Sequence, residues 1–115
     1  MKISEIRDIL NAEVMCGDVD MVVNSACAAD MMSDVLAFVK EQAVLITGLN
    51  NPQVIRTAEM MDMKCVVLVR NKRPDQMFLE FAESKGIAVL CSKHRMYIAC
   101  GLLYQAGLAG GEYHV

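Results

Sequence analysis

Three apolar runs recur from residue 43 onward, at residues 43–47 (AVLIT), 65–69 (CVVLV) and 87–91 (IAVLC). None of them alternates with polar residues, which is the pattern of strands that are buried on both faces of a parallel sheet. Each run is followed by a segment with the period of an amphipathic helix. The pattern therefore predicts three consecutive strand–helix units.

Proline and glycine indicate where the helices of these units begin and end. Pro52 and Pro74 stand where a first helical residue is expected, because the missing N–H costs nothing there. Gly86 and Gly107 stand where left-handed C-terminal caps are expected. These signals predict helices at about residues 52–62, 74–85 and 94–106.

The first third of the chain is patterned less clearly. An amphipathic helix capped by Ser4 is predicted to end near Asn11. A change of period at Asp30 predicts a helix that runs to about Glu41. Between these helices the sequence predicts two strands, at residues 12–16 and 21–28, with a turn at Gly17 and Asp18.

Parallel strands joined by right-handed helical crossovers form a sheet with helices packed against both faces. A chain of 115 residues is long enough for one hydrophobic core. We therefore expect a single α/β domain over residues 1–115, a three-layer α/β/α structure with a mostly parallel sheet.

Composition and charge exclude several functional classes. The 11 Lys and Arg against 14 Asp and Glu give a net charge of −3, so the chain has no basic field for nucleic acid. Gln105 and several glycines interrupt the longest weakly polar stretch, residues 96–111, and no membrane segment is expected. Glu5 and Asp8 exclude a signal peptide, and five scattered cysteines suit a reducing compartment. We expect a cytoplasmic protein.

The cysteines and histidines do not form a recognisable reactive set. The cysteines show no CxxC or CxxxC spacing, so no metal and no cofactor is predicted. Cys27 is the best candidate for a nucleophile, but it has no neighbouring histidine, and nearby Asp30 would raise its pKa. His94 and His114 have no evident partners. The sequence predicts no catalytic residues and a protein that is not an enzyme.

Polar side chains concentrate in the loops that follow the predicted strands. In open parallel sheets, ligands bind beyond the carboxyl ends of the strands, near the N-termini of helices. The alternative for any one of these residues is that it only caps a helix. The basic run 70–73 (RNKR) suggests an anion, with a solvated loop as its alternative. We expect a small anionic ligand here, and the candidate ligand-binding residues are Asp30, Ser33, Asp34, Thr47, Gly48, Asn50 and Ser92.

Ten methionines and 55% hydrophobic residues are a high content for a domain of this size. Methionine either fills irregular cores or forms adaptable contact surfaces. The excess favours self-association, with a two-fold homodimer as the expected form. The candidate faces are the corner formed by Met60, Met61 and Met63 and the first strand with its helix.

Three segments resemble the DRTGG domain: residues 4–10 (SEIxxxL), 12–17 (AEVxxG) and 30–36 (DxxSDVL). The likeness continues through the three strand–helix units. Of the namesake motif, Asp20 matches, whereas Met21 stands in place of the arginine. The two positions of the paired glycines hold Ser25 and Ala26.

The DRTGG family is similar to the N-terminal domain of the HPr kinase/phosphorylase, where it is regulatory or oligomerising. The resemblance implies a non-enzymatic regulatory or ligand-sensing domain, and the polar loops at the carboxyl ends of the strands suggest a nucleotide or another small anion as its ligand. Freestanding members are similar to proteins encoded near iron hydrogenase subunits. The alternative function is therefore a structural or assembly partner of a redox (hydrogenase-type) complex.

Overall fold

The computed structural model describes residues 1–38 and 43–111, and these form five strands and five helices. In chain order they are α1 (Ile3–Leu10), β1 (Glu13–Cys16), β2 (Ala26–Ala28), α2 (Met32–Phe38), β3 (Val44–Thr47), α3 (Gln53–Met60), β4 (Cys65–Leu68), α4 (Gln76–Ser84), β5 (Ala88–Cys91) and α5 (Met96–Gln105).

The strands form one sheet in the order β1-β5-β4-β3-β2. Strands β2 to β5 are parallel to one another, and β1 is antiparallel to β5. Every residue of β3, β4 and β5 is buried, as the uninterrupted apolar runs predict. The prediction of an α/β fold with a mostly parallel sheet is confirmed.

Helices cover both faces of the sheet, which gives three layers. Leu45 and Val66 pack in one hydrophobic cluster with α2, α3 and α4. Ile46 and Val67, their neighbours along the strands, pack in the other cluster with α1 and α5. Successive side chains of a strand point to opposite faces, so each strand contributes to both clusters.

The helices that connect the parallel strands all lie on one face of the sheet, and the chain changes face only after β5. From β2 to β5 each strand lies one position further along the sheet, and α2, α3 and α4 all pack on the same face. After β5 the chain crosses to the other face, where α5 packs against α1. The loops that leave the neighbouring strands β4 and β5 therefore diverge, and such a divergence opens a crevice at the carboxyl ends of the strands.

The first helix begins earlier than its sequence predicts. Its N-cap is Lys2, not Ser4, and the Lys2 N–H donates to the Glu5 carboxylate at 3.0 Å. The backbone N–H groups of Ile3 and Ser4 donate to carbonyls of Met21 and Val19. Because this distant segment satisfies the free N–H groups of the first turn, a hydroxyl cap at Ser4 is unnecessary.

The second predicted strand is shorter in the structure. Residues 21–25 do not join β2, because Val22 bridges to Lys2 and Ser25 to Ala109. The helix that was expected from Asp30 starts two residues later, at Met32. The Asp30 carboxylate accepts the N–H of Gly48, in the loop after β3, and does not cap this helix. Its expected end near Glu41 lies outside the described residues.

The helix-boundary signals were correct at the C-termini and displaced at the N-termini. Gly86 and Gly107 adopt the left-handed conformation after α4 and α5, with φ of +68° and +103°. Pro52 stands one residue before α3, as its N-cap. Pro74 precedes the N-cap Asp75, whose carboxylate accepts the Phe78 N–H at 2.8 Å. The side-chain cap at Asp75, not the proline, sets the start of α4.

Two glycines provide a matched test of this packing. Gly17 has φ of +100°, and a Cβ on it would meet the backbone of Ala88 in β5. We expect Gly17→Ala to lower the free energy of unfolding by about 2 kcal/mol or more. Gly86 is also left-handed, with φ of +68°, but has open space where a Cβ would stand, so Gly86→Ala should cost only about 1 kcal/mol. Urea denaturation measures both, and equal effects would contradict the close packing of β1 on β5.

Candidate functional site

The carboxyl ends of the parallel strands hold two groups of polar residues. One group surrounds the Asp30 side chain, where β2, β3 and β4 end. The other lines a crevice between the loops that follow β4 and β5. Three of the seven residues predicted from the sequence, Asp30, Thr47 and Gly48, belong to the first group.

The Asp30 carboxylate joins the ends of three strands. Its Oδ1 accepts the Gly48 N–H at 2.7 Å and the Thr47 hydroxyl at 3.1 Å. Its Oδ2 lies 3.5 Å from a guanidinium nitrogen of Arg70. The buried Thr47 hydroxyl oxygen also accepts the Leu49 N–H at 3.1 Å. The group is thus hydrogen-bonded within itself and fixes the loops after β2, β3 and β4.

A tight turn after β4 directs Arg70 over Gly48. The Arg70 guanidinium occupies the space that a Cβ on Gly48 would need, so a side chain at this position would displace Arg70 from the end of β3. Arg70 and Asn71 are both left-handed, with φ of 59° and 58°. Their N–H groups donate to the carbonyls of His94 and Ser92 at 2.8 and 3.0 Å. These bonds hold a conformation that costs a residue with a side chain about 1–2 kcal/mol.

The other predicted residues are not part of the Asp30 group. Asn50 donates its side-chain N–H to the Arg73 carbonyl at 2.9 Å and so supports the loop after β4. The buried Ser92 hydroxyl donates to the Leu10 carbonyl at 3.3 Å and accepts the His94 N–H at 3.2 Å. Ser33 and Asp34 lie exposed at the start of α2, and their side chains have no hydrogen bond within the described ranges.

The crevice is a cavity of about 300 Å³, at the lower end of the size range of small-molecule sites. It lies where the loops after β4 and β5 diverge, next to the end of α1 and the start of the antiparallel strand β1. Its floor includes buried Leu10 and Cys91. The lining residues are Leu10, Asn11, Ala12, Glu13, Asn71, Arg73, Cys91, Lys93 and His94.

The charged lining of the crevice is predominantly positive. It contains two cations, Arg73 and Lys93, and one carboxylate, Glu13, which gives a formal charge of +1 with His94 neutral. A guanidinium nitrogen of Arg73 lies 2.6 Å from a Glu13 oxygen. This hydrogen bond, together with the charge of Glu13, raises the pKa of Arg73. The crevice therefore favours anions.

Sequence reasoning found only part of this crevice. The basic run at residues 70–73 was the available signal for Arg73. Lys93 and His94 follow β5 and lie in a loop that was expected to carry polar chemistry, but neither is among the predicted ligand-binding residues. Glu13 carried no signal, because only the placement of β1 beside β5 brings it to Arg73.

The thiols of the domain remain protonated near neutral pH. Burial raises the pKa of Cys65 to about 12, and of Cys27 and Cys91 to about 11. The prediction that Cys27 has a raised pKa is confirmed, but the causes are burial and the nearby thiol of Cys100, not Asp30. No three residues of the kinds that ligate metals cluster in the described part of the chain, and His114 lies outside it.

A second cavity, of about 200 Å³, lies between the edge strand β2 and α5. Cys27, Cys100, Leu103 and Tyr104 are among its lining residues, and none of the lining residues is charged. Residues 1–38 and 43–111 contain no helix with the length and apolar character needed to cross a membrane.

The fold is thus a three-layer α/β domain with a crevice at the carboxyl ends of its strands. Comparison with known protein families identifies the family to which it belongs. The family model of the DRTGG domain matches residues 5–106. The chain therefore belongs to the DRTGG domain family, as its sequence resemblance indicates.

A solved structure shares the fold. It is the crystal structure of the CBS and DRTGG domains of the regulatory region of Clostridium perfringens pyrophosphatase, complexed with the activator diadenosine tetraphosphate. The TM-score is 0.77 at 19% sequence identity, and the match covers 91% of this chain and 46% of that one. This chain thus spans about half the length of that protein chain.

The Asp30 group can be tested by removing its carboxylate. We expect Asp30→Ala to lower the free energy of unfolding by about 1–2 kcal/mol, because the Gly48 N–H loses a charged acceptor while half-exposure of the pair with Arg70 limits the effect. Asp20→Ala is the control, because this carboxylate is exposed and forms no hydrogen bond or ion pair within the described residues; only its backbone N–H bonds, to Asp18. Urea denaturation gives the two values, and a matched loss in both variants would refute the linking role of Asp30.

Proposed function

We propose that this chain is a non-enzymatic regulatory domain that senses a small anionic ligand in the crevice between the loops after β4 and β5. The observation that carries the proposal is the position of Arg73 and Lys93 in a cavity of about 300 Å³ where these loops diverge. Cavities at such a divergence are the usual ligand sites of open parallel sheets.

The predicted site residues take a supporting role in this proposal. Asn50 positions the backbone of Arg73, and Ser92 positions the His94 loop against the end of α1. Asp30, Thr47 and Gly48 hold the loop edge on which the crevice depends. Direct contact of these residues with a ligand, and of Ser33 and Asp34, stays a prediction.

Two features of the crevice favour binding over turnover. The Cys91 thiol has a pKa of about 11 and is a poor nucleophile at neutral pH. Glu13 is the single carboxylate among the lining residues and is hydrogen-bonded to Arg73, so the lining shows no carboxylate–histidine pair for acid–base catalysis. The crevice thus offers charge complementarity to an anion more readily than a reactive group.

The related regulatory region supports nucleotides as the first ligands to test, because its activator carries several phosphates. Arginine and lysine are the side chains that usually bind phosphate groups in proteins. We therefore select nucleotides as the first ligands to test because of the shared fold and because Arg73 and Lys93 line the crevice.

A thermal-shift screen tests the proposal. Nucleotides including diadenosine tetraphosphate, phosphorylated metabolites and small acids should be screened, and a ligand present at about 100 times its Kd should stabilise the domain by about 2.7 kcal/mol. Arg73→Gln and Lys93→Gln should remove the shift. Lys72→Gln is the control, since it removes a positive charge from the same loop but not from the crevice lining. Silence across the whole screen would contradict a ligand sensor.

We also propose that the domain forms a two-fold dimer, with α5 as the contact face. Helix α5 has no charged residue, and its exposed Tyr97 and Tyr104 flank Gly101. The methionine corner is less suitable because Met63 is buried and only Met60 is fully exposed. An uncharged face with bulky and small positions can pack against its own copy.

Light scattering tests the dimer. The wild-type chain should have about twice the monomer mass of 12.7 kDa, and Tyr97→Glu with Tyr104→Glu should return it to the monomer mass because each copy would bury two like charges. Met60→Glu, on the methionine corner, should leave the dimer intact. A wild-type mass of one chain, unchanged on tenfold concentration, would refute self-association.

The alternative function, a partner of a redox complex, stays a prediction from the sequence, as does the cytoplasmic location.

A further inference from the structure

The Arg73 guanidinium is the main anion-binding group of the crevice, and it is already hydrogen-bonded to the Glu13 carboxylate. The two residues are 60 positions apart in the chain, and the carboxylate lies 2.6 Å from the guanidinium. The same guanidinium nitrogen contacts the Met15 sulfur at 3.7 Å. An incoming anion would therefore meet a guanidinium that holds a carboxylate from β1.

The charges of the crevice indicate what could replace this carboxylate. Arg73 and Lys93 supply two positive charges, and Glu13 neutralises one of them. A ligand with a single negative charge can balance the remaining charge while the pair stays intact. A ligand with two negative charges matches both cations only when Glu13 leaves Arg73. Guanidinium groups bind phosphate oxygens as well as carboxylate oxygens, so a phosphate can replace the hydrogen bond that Arg73 makes with Glu13.

The exposure of the pair makes the exchange possible. The side chains of Arg73 and Glu13 are 50% and 59% exposed, so water can solvate the carboxylate after it leaves. The backbone of Glu13 is paired with Cys91 in the sheet, and only the side chain needs to rotate. The Glu13 carboxylate is thus weakly bound to Arg73, but it is always beside the crevice because it belongs to the same chain.

We propose that Glu13 is a built-in competitor for the ligand, and that the crevice takes a doubly charged anion of the phosphate-monoester class in exchange for the Glu13 carboxylate. The inference rests on the proposed function, because it concerns the same crevice. It adds the ligand class and a residue that sets the threshold for binding. Ligand binding would also break the side-chain contact between the start of β1 and the loop after β4, while the backbone pairing of β1 with β5 stays intact.

Titration with inorganic phosphate, and with formate as the singly charged probe, tests the proposal on the full chain. Ionic strength is kept constant, and amide NMR shifts of Asn71, Lys93 and His94 report occupancy of the crevice. Glu13→Gln should tighten phosphate binding up to about fivefold, because the ligand no longer has to displace a half-exposed carboxylate from Arg73, with a smaller gain for formate. Glu83→Gln is the control, because it removes the same charge near the end of α4, beyond the amino ends of the parallel strands and outside the crevice lining.

A double variant separates competition from simple repulsion. Arg73→Gln should weaken phosphate binding, and in that background Glu13→Gln should bring little further gain, since there is no guanidinium to compete for. Arg73→Lys should keep part of the affinity, and the amide spectrum of each variant verifies that it is folded.

Two results would overturn the competitor. One is unchanged phosphate affinity in Glu13→Gln, and the other is an undiminished gain in the Arg73→Gln background. If either result is obtained and phosphate still shifts the crevice amides of the wild-type chain, only the competitor role of Glu13 is refuted. The proposed anion site then stands. If phosphate shifts none of these amides in any variant, the anion site in this crevice fails together with the competitor.

Discussion

The burial of both faces of β3, β4 and β5 is the constraint on which the rest of the structure depends. All twelve residues of these strands are buried, so apolar side chains such as Leu45 and Ile46 need cover on opposite sides of the sheet. Right-handed crossovers bring α2, α3 and α4 to one face only. The second face can be covered only by elements outside the crossovers, which are α1 and α5.

This requirement creates the crevice. Because α5 must cover the face that α4 does not, the loop after β5 turns away from the loop after β4. Strand β1 follows α1 and pairs with the free edge of β5, so its first residue, Glu13, arrives at the carboxyl ends of the parallel strands. The position of the cavity is therefore a consequence of covering the sheet, and its charge is a property of the loops.

The loop edge is held by polar contacts that join elements distant in sequence. Asp30 ties β2 to the loop after β3, and Ser92 ties the end of β5 to the end of α1. The consecutive left-handed residues Arg70 and Asn71 are stabilised by carbonyls of the loop after β5. These backbone hydrogen bonds connect the loop after β4 to the loop after β5, and both loops line the crevice.

The sequence by itself determined the elements whose physical cause is local. The apolar runs predict β3, β4 and β5, because a strand buried on both faces must be apolar at every position. Gly86 and Gly107 predict the ends of α4 and α5, because the left-handed conformation there favours glycine. The tertiary structure decided what depends on distant partners: the start of α1, the capture of the Asp30 carboxylate by Gly48, and the meeting of Glu13 with Arg73. Which of several polar loop residues lines a cavity depends on how the faces of the sheet are covered, and no local pattern records that.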